Sequence, residues 1–309
     1  MPAPIRDRSP RVAILGARWG RTHVGTFRAA GCEVIAIVGA DPARSREVAA
    51  AEGVFGSILE DVASADVVVV ATPVDTHARL VEAFADKHLL CEKPFAGAAS
   101  LDPRAEVAAR PHVWTNYAMP FLATAREVAR LVRAGRIGPP ERARVRVWTR
   151  IPGGGPEPDR REHMDVAVHP LAFLRTLVGP LVRRSEPVAG ATATLDAGAC
   201  AVHLGLGARE RPGITVAVAL EGAGGSIGLE GSWEPGRTWA WGPVLVDGAA
   251  VPSTEARDDG DVWYDANCRA VARFVDVIRG HATAAGARED GLLDAATALE
   301  LERGVADLF

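Results

Sequence analysis

The sequence predicts an α/β protein in two parts. A doubly wound parallel sheet occupies residues 1–119, and an α+β domain with a large, open, mostly antiparallel sheet occupies residues 120–309. Three observations predict it. Short, continuously apolar runs alternate with helical stretches through the first part, the mark of parallel strands covered on both faces. A glycine-bearing turn, Gly16-Ala17-Arg18-Trp19-Gly20, joins the first such run to the first helical stretch. From Arg183 to Val251 the pattern changes to strands separated by glycine turns. A length of 309 residues suits two domains of the usual size.

Arg11–Leu15 is apolar and β-branched at Val12 and Ile14, as a buried strand requires. Residues from Arg21 to Ala30 follow a helical pattern ended by Gly31, and Glu33 to Val38 is the second strand. Strand, glycine turn, helix and strand, in that order, set backbone N–H groups and a helix N-terminus against a pyrophosphate. Gly16, Arg18, Trp19 and Gly20 are therefore candidate dinucleotide contacts, although the spacing G-x-x-x-G is one residue short of G-x-G-x-x-G. At the end of the second strand an NAD site carries an acid for the ribose hydroxyls. Here the specificity position is Gly39, Asp41 reads as a turn residue before Pro42, and Arg44 and Ser45 follow where a 2′-phosphate would lie. The pattern favours NADP(H) and leaves NAD(H) open.

The alternation continues with helix Ala43–Glu52, strand Ala65–Ala71, helix Ala78–Lys87 and strand His88–Cys91. Ligands bind such sheets beyond the carboxyl ends of the strands, where Thr72-Pro73 and Glu92-Lys93-Pro94 fall. Lys93 stands out by composition: only Lys87 and Lys93 are lysine among 35 cationic residues. Arginine stays charged, whereas lysine can give up a proton when buried or placed near other charge. Retention of a lysine at the ligand edge suits proton transfer or anchoring of an anion.

The second part opens with an amphipathic helix, Ala123–Ala134, closed by Gly135-Arg136-Ile137-Gly138, and strand Glu141–Ile151 follows. A Gly- and Pro-rich loop, Pro152–Pro158, leads to the stretch Arg161–Leu174. Asp165 and His169 lie four residues apart there, on one face of a helix, where a carboxylate and an imidazole can share a proton and position a carbonyl oxygen. His163 is a second candidate for substrate contact from another angle. Strands are expected at Val188–Leu195, Ala199–Leu206, Ile214–Leu220 and Ser226–Glu230. Trp233, Trp239 and Trp241 cluster at the end of this sheet, as sheet-face packing, a stacking platform or a subunit interface. Helices at Asn267–Arg279 and Glu289–Asp307 close the chain, the last able to pack back on the first domain.

A formal net charge of −4 gives no electrostatic case for nucleic acid or an anionic membrane. The longest apolar run, Ala65 to Ala71, is far short of the roughly 20 residues that span a bilayer. The polar N-terminus has no secretory pattern. Cys32, Cys91, Cys200 and Cys268 show no metal-ligand spacing and read as thiols in a reducing cytoplasm. A small-molecule substrate is the expected partner, with a homodimer or homotetramer formed through the open sheet.

With these pieces in order, nearly the whole chain resembles the Gfo/Idh/MocA family, named for glucose–fructose oxidoreductase and inositol dehydrogenase. The resemblance rests on Glu92-Lys93-Pro94, Asn116-Tyr117, Gly135-x-Ile137-Gly138 and Asp165-x-x-x-His169, with Thr72-Pro73 and His77 fitting the family's cofactor loop. It implies a Rossmann domain and a catalytic trio of Lys93, Asp165 and His169. It also implies cofactor contacts at Gly39, Arg44, Thr72, Pro73, His77, Glu92 and Lys93, and substrate contacts at Tyr117, His163 and Trp233. The expected activity is hydride transfer between NADP(H) or NAD(H) and a C=O carbon of a sugar, polyol or nucleotide-sugar-like substrate. Three departures bear on this. The shortened glycine loop is similar to that of thiazolinyl imine reductases, which typically lack the Glu-Lys-Pro lysine. Ala118 stands where many members carry Arg, and Ala172 where many sugar-handling members carry Asp. An imine or ketone reductase and a non-catalytic dinucleotide-binding regulator are the alternatives.

Overall fold

The computed structural model describes residues 2–96, 110, 112–150, 160–183, 192–252 and 261–306. The chain divides into two compact units, Met1–Tyr117 with Asn267–Leu299, and Ala118–Ala266 with Glu300–Phe309.

In the first unit, strands β1 (Arg11–Leu15), β2 (Glu33–Val38), β3 (Val67–Val70), β4 (His88–Glu92) and β5 (Val113–Asn116) form a parallel sheet ordered β5-β4-β3-β1-β2. The four valines of β3 are 0% exposed, which explains an apolar run with no alternation: both faces are covered. Helices α1 (Arg21–Ala29), α2 (Pro42–Ala51) and α3 (His77–Ala83) link the strands. Pro42 opens α2, where its missing N–H costs nothing, and the Asp41 carboxylate accepts the N–H of Ala43 at 2.8 Å.

The second unit begins with α4 (Ala123–Arg133), β6 (Pro140–Arg150) and α5 (Arg160–Val178). Short strand β7 (Val182–Arg183) precedes β8 (Thr192–Ala197), β9 (Cys200–Ala208), β10 (Gly213–Gly222) and β11 (Gly225–Trp233). Two-residue strands β12 (Ala240–Trp241), β13 (Leu245–Val246) and β14 (Ala249–Ala250) follow. The sheet runs β14-β13-β11-β10-β6-β9-β8-β7, with β12 also on β11. Within this sheet, only the β6–β9 pairing is parallel among the described strands. One face buries Ala143, Val145, Val147, Val202, Leu204, Val216 and Val218, and α5 packs on β6 there. The other face shows Arg142, Arg144, Arg146 and His203 to solvent, with Glu221 bridging Arg142 at 3.0 Å and Arg144 at 2.8 Å.

The chain closes differently from its pattern. Helix α6 (Val262–Arg279) starts five residues earlier than expected and passes from the second unit into the first at Asn267. The single helix expected at Glu289–Asp307 is instead α7 (Ala284–Glu289), strand β15 (Leu293–Asp294) and α8 (Ala295–Ala306). Gly291 adopts φ 106°, a left-handed conformation that ends α7 and frees the next residues to extend. Strand β15 pairs antiparallel with the outer edge of β5. The loop Pro152–Pro158, residues 188–191 and Asp307 lie outside the described residues. Among those described, no helix is long and apolar enough to cross a membrane, and no His, Cys, Asp and Glu group is placed to hold a metal ion.

Candidate functional site

Parallel order brings the carboxyl ends of β1, β3 and β4 to one edge of the first sheet, side by side. The glycine turn lies at the first of these ends. Gly16 has φ 122°, and a methyl group added there would overlap the carbonyl oxygen of Ala71 just beyond β3. A methyl on Gly20 would overlap the carbonyl oxygen of Gly16 and lie 2.7 Å from the Ile14 side chain. One on Gly39 would lie 2.9 Å from Ala17 Cβ. The turn is therefore closed by glycine packing, and helix α1 starts from it at Gly20 with no side chain capping its first N–H groups. Bare N–H groups at a helix start, reached by backbone alone, suit a pyrophosphate. These residues fit a dinucleotide despite the missing glycine. Arg18 and Trp19 project from the turn, Trp19 50% exposed, and Arg18 has no ion pair among the described residues.

At the end of β2 the expectations separate. Gly39 lies at the strand end as expected. Asp41 is the N-cap of α2, so its carboxylate is engaged with backbone N–H groups. Ser45 is a correction: it is 0% exposed, donates to Asp41 O at 2.8 Å and accepts the Gly39 N–H at 2.8 Å, so no phosphate reaches it. Arg44 is exposed and paired with Glu47 at 2.7 Å.

Glu92, expected at the cofactor, is buried instead. Its carboxylate accepts from His23 Nε2 at 2.8 Å and from Asn116 Nδ2 at 2.8 Å. Asn116 Nδ2 also donates to Asn267 Oδ1 at 2.7 Å. Burial pushes the Glu92 carboxyl up, but the hydrogen bond and charge of His23, the Asn116 bond and nearby Lys93 together hold it down at about 2. Glu92 thus fixes the strand end from which Lys93 departs. Lys93 itself is half-buried and precedes a cis Lys93–Pro94 bond. Lys87, the other lysine, donates to Ala63 O at 3.0 Å and serves a turn at the far end of the strand.

His77 is likewise withdrawn from direct cofactor contact. It is 1% exposed, with Nε2 2.8 Å from Thr72 O and Nδ1 3.1 Å from Pro94 O. Burial pushes its imidazole below the ordinary value. It ties the loop after β3, with Thr72 and Pro73, to the loop after β4, with Lys93. Tyr117, expected at the substrate, is 1% exposed, its ring enclosed by protein.

In the second unit, Asp165 and His169 occupy one face of α5. Asp165 is exposed and His169 is half-buried. The His169 imidazole stands edge-on to the indole of Trp263, centroids 4.9 Å apart at 81°. Trp263 stacks on Trp239 at 5.6 Å and 21°, and Trp239 on Trp241 at 5.9 Å and 13°. Trp233, grouped with Trp239 and Trp241 by sequence, makes no ring contact among the described residues. Trp263 takes its place, 22 positions beyond Trp241, with no signal in the sequence to join them. The His163 side chain lies outside the described residues.

Residues 10–113 match the model of an oxidoreductase family with an NAD-binding Rossmann fold, Gfo/Idh/MocA. Over 145 residues the chain is 39% identical to inositol 2-dehydrogenase 1 of Saccharopolyspora erythraea, covering 42% of this chain and 43% of that protein. The chain thus matches less than half the length of this relative. An oxidoreductase from Agrobacterium radiobacter, solved with NAD+, L-tartaric acid and magnesium, superposes with a TM-score of 0.67 at 19% identity, over 96% of this chain and 94% of that one. UDP-N-acetylglucosamine 3-dehydrogenase of Acidithiobacillus ferrooxidans superposes with a TM-score of 0.65 at 19% identity, over 97% and 99%.

Proposed function

We propose that this chain, whose residues 10–113 match the model of the Gfo/Idh/MocA oxidoreductase family, is a nicotinamide-dependent dehydrogenase or reductase acting on a C=O carbon. The observation that carries the reading is the edge of the first sheet. There the glycine turn after β1, the Thr72-Pro73 loop after β3 and Lys93 after β4 are neighbours. The inositol and UDP-sugar relatives support a polyhydroxylated ring as the substrate class. A ketone or C=N carbon is the second reading, favoured by the buried methyl of Ala172, 0% exposed, where a polyol-binding acid would stand.

The bound nicotinamide supplies the hydride donor or acceptor. Gly16, Gly20 and the start of α1 receive the pyrophosphate. Lys93 holds an ammonium for the substrate heteroatom. In the reducing direction that heteroatom gains one proton, given by His169 or Lys93, and Asp165, one turn before His169, orients the donor. We assign NADP(H) as the cofactor. Gly39 offers no acid to the 2′-hydroxyl, the Asp41 carboxylate is engaged in the α2 cap, and Arg18 is an exposed cation. The Arg44–Glu47 pair is exposed too, and such a pair is worth at most about 1 kcal/mol, so a phosphate can replace Glu47.

Binding of NADPH and NADH is read by energy transfer from tryptophan, and NADPH is expected to bind about tenfold tighter. Turnover is then followed with cyclic polyols, ketoses, ketones and cyclic imines, using deuterium at the nicotinamide C4. Deuterium on the product carbon is the expected result. Dinucleotide binding without turnover of any compound, together with tight capture of a protein partner, would instead make the chain a regulator.

The open face of the second sheet, with Arg144, Arg146, Trp148 and His203, supports assembly of copies of this chain. Sedimentation velocity is expected to show a dimer or tetramer, and a monomer at working concentrations would discard that assignment.

A further inference from the structure

The tryptophans of the second unit are arranged beyond what packing requires. The sequence spends seven residues on Trp and two on Tyr, and three of the indoles form one array, Trp241–Trp239–Trp263, that ends on His169. Core aromatics of this chain are sealed, Trp114 at 1% and Phe173 at 1% exposure. By contrast Trp239, Trp241, Trp263 and His169 are all half-buried. The near-parallel planes with centroids 5.6 and 5.9 Å apart exceed the about 3.5 Å of face-on contact, so the rings are offset sideways and tile a strip.

Local chemistry holds each ring in place. Gly231 pairs with Trp241 across β11 and β12, and a methyl at Gly231 would lie 2.5 Å from the indole, so the ring lies flat on a bare Cα. Asp261 caps α6 by accepting the Trp263 N–H at 3.0 Å and the Tyr264 N–H at 3.2 Å, which fixes Trp263 in the first turn. The Trp241 Nε1–H is buried and has no acceptor among the described residues.

We propose that Trp239, Trp241 and Trp263 form a stacking platform for a planar aromatic or heteroaromatic ring carried by the substrate, beside His169. This rests on the reading of His169 as the proton-handling group and names the substrate class at that group. The next member of an offset π array is another π face. A bare polyol would bring a hydroxyl on nearly every carbon to a strip made largely of apolar ring faces, and each buried hydroxyl left unpaired costs about 1–3 kcal/mol. The centroid of Trp263 is 4.9 Å from that of His169. The Trp263 end of the strip is therefore the one next to the imidazole.

The test uses the intact protein and two matched pairs of probes, uridine against 5,6-dihydrouridine and phenylacetone against cyclohexylacetone. Quenching of tryptophan emission gives the affinities. At least one aromatic member is expected to bind about tenfold tighter than its saturated counterpart, in the range of single-ring stacking. Trp239→Leu is expected to abolish that preference, and Trp239→Phe, which keeps a π face, to restore most of it. Equal affinity within both pairs, or a preference that survives Trp239→Leu, overturns the platform. The readout needs no hydride transfer. Loss of dinucleotide binding with ring preference intact therefore defeats the proposed function and leaves the platform standing.

Discussion

A Lys93→Ala variant is expected to turn over at least about 100-fold more slowly than the parent, and Lys93→Arg is expected not to rescue it. The reasoning begins with composition. A chain that uses arginine at 33 of its 35 cationic positions keeps lysine at only two. Lys87 is accounted for by its bond to the Ala63 carbonyl at 3.0 Å. Lys93 leaves the carboxyl end of β4, with Glu92 anchored behind it and the glycine turn at the end of the nearby strand β1. Arginine would supply charge there but would neither release a proton nor fit the same space. Turnover is read from nicotinamide absorbance and cofactor affinity from tryptophan energy transfer. Normal turnover by either variant with dinucleotide still bound would remove Lys93 from the chemistry. Normal turnover by the arginine variant alone would reduce its role to fixed charge.

Glu92→Ala is expected to cost about 3–5 kcal/mol of stability, the usual penalty for removing one member of a buried, hydrogen-bonded charged pair. His23 and Asn116 would each lose their acceptor. The pH dependence has a definite sign. The Glu92 carboxyl lies at about 2 in the folded chain against 4.5 for the free group. Its stabilisation is therefore complete above about pH 4.5 and is lost as pH falls toward 2, on the order of 3 kcal/mol in all. Glu92→Gln keeps the side chain's shape without this titration. Urea unfolding at several pH values is expected to show the parent losing its advantage over Glu92→Gln as the solution is acidified below pH 4.5. A gap that stays constant across that window would mean the Glu92 charge contributes nothing.

Much of the first unit was legible because its determinants are local. Runs such as Val67–Val70 are apolar without alternation only if both faces are covered, and they are. Gly16 and Gly20 announce a turn in which side chains have no room. Legibility failed where tertiary contact competes with local pattern. Ser45 reads as a phosphate ligand in a line of text, but backbone groups of Gly39 and Asp41 claim its hydroxyl. Glu92 and His77 sit in motifs at the ligand edge, yet both turn inward, Glu92 to His23 of α1 and Asn116 of β5, and His77 to the loop carbonyls of Thr72 and Pro94. His23 is 69 positions from Glu92, and Trp263 is 22 from Trp241, so no periodicity links either pair. Leu293–Asp294 is too short to show strand alternation and becomes a strand only because β5 offers it an edge.

That last pairing ties folding to the order of synthesis. The first unit is written in two instalments, with residues 118–266 made between them. While the ribosome makes the intervening stretch, the outer edge of β5 has no partner and Asn116 lacks the amide of Asn267. At roughly 5–20 residues per second, that interval lasts on the order of ten seconds or more. For that time the nascent sheet carries an open, hydrogen-bonding edge, the feature that recruits other chains. A helper that shields this edge, or rapid synthesis of residues 267–299 once the intervening stretch is made, would raise the yield of folded protein.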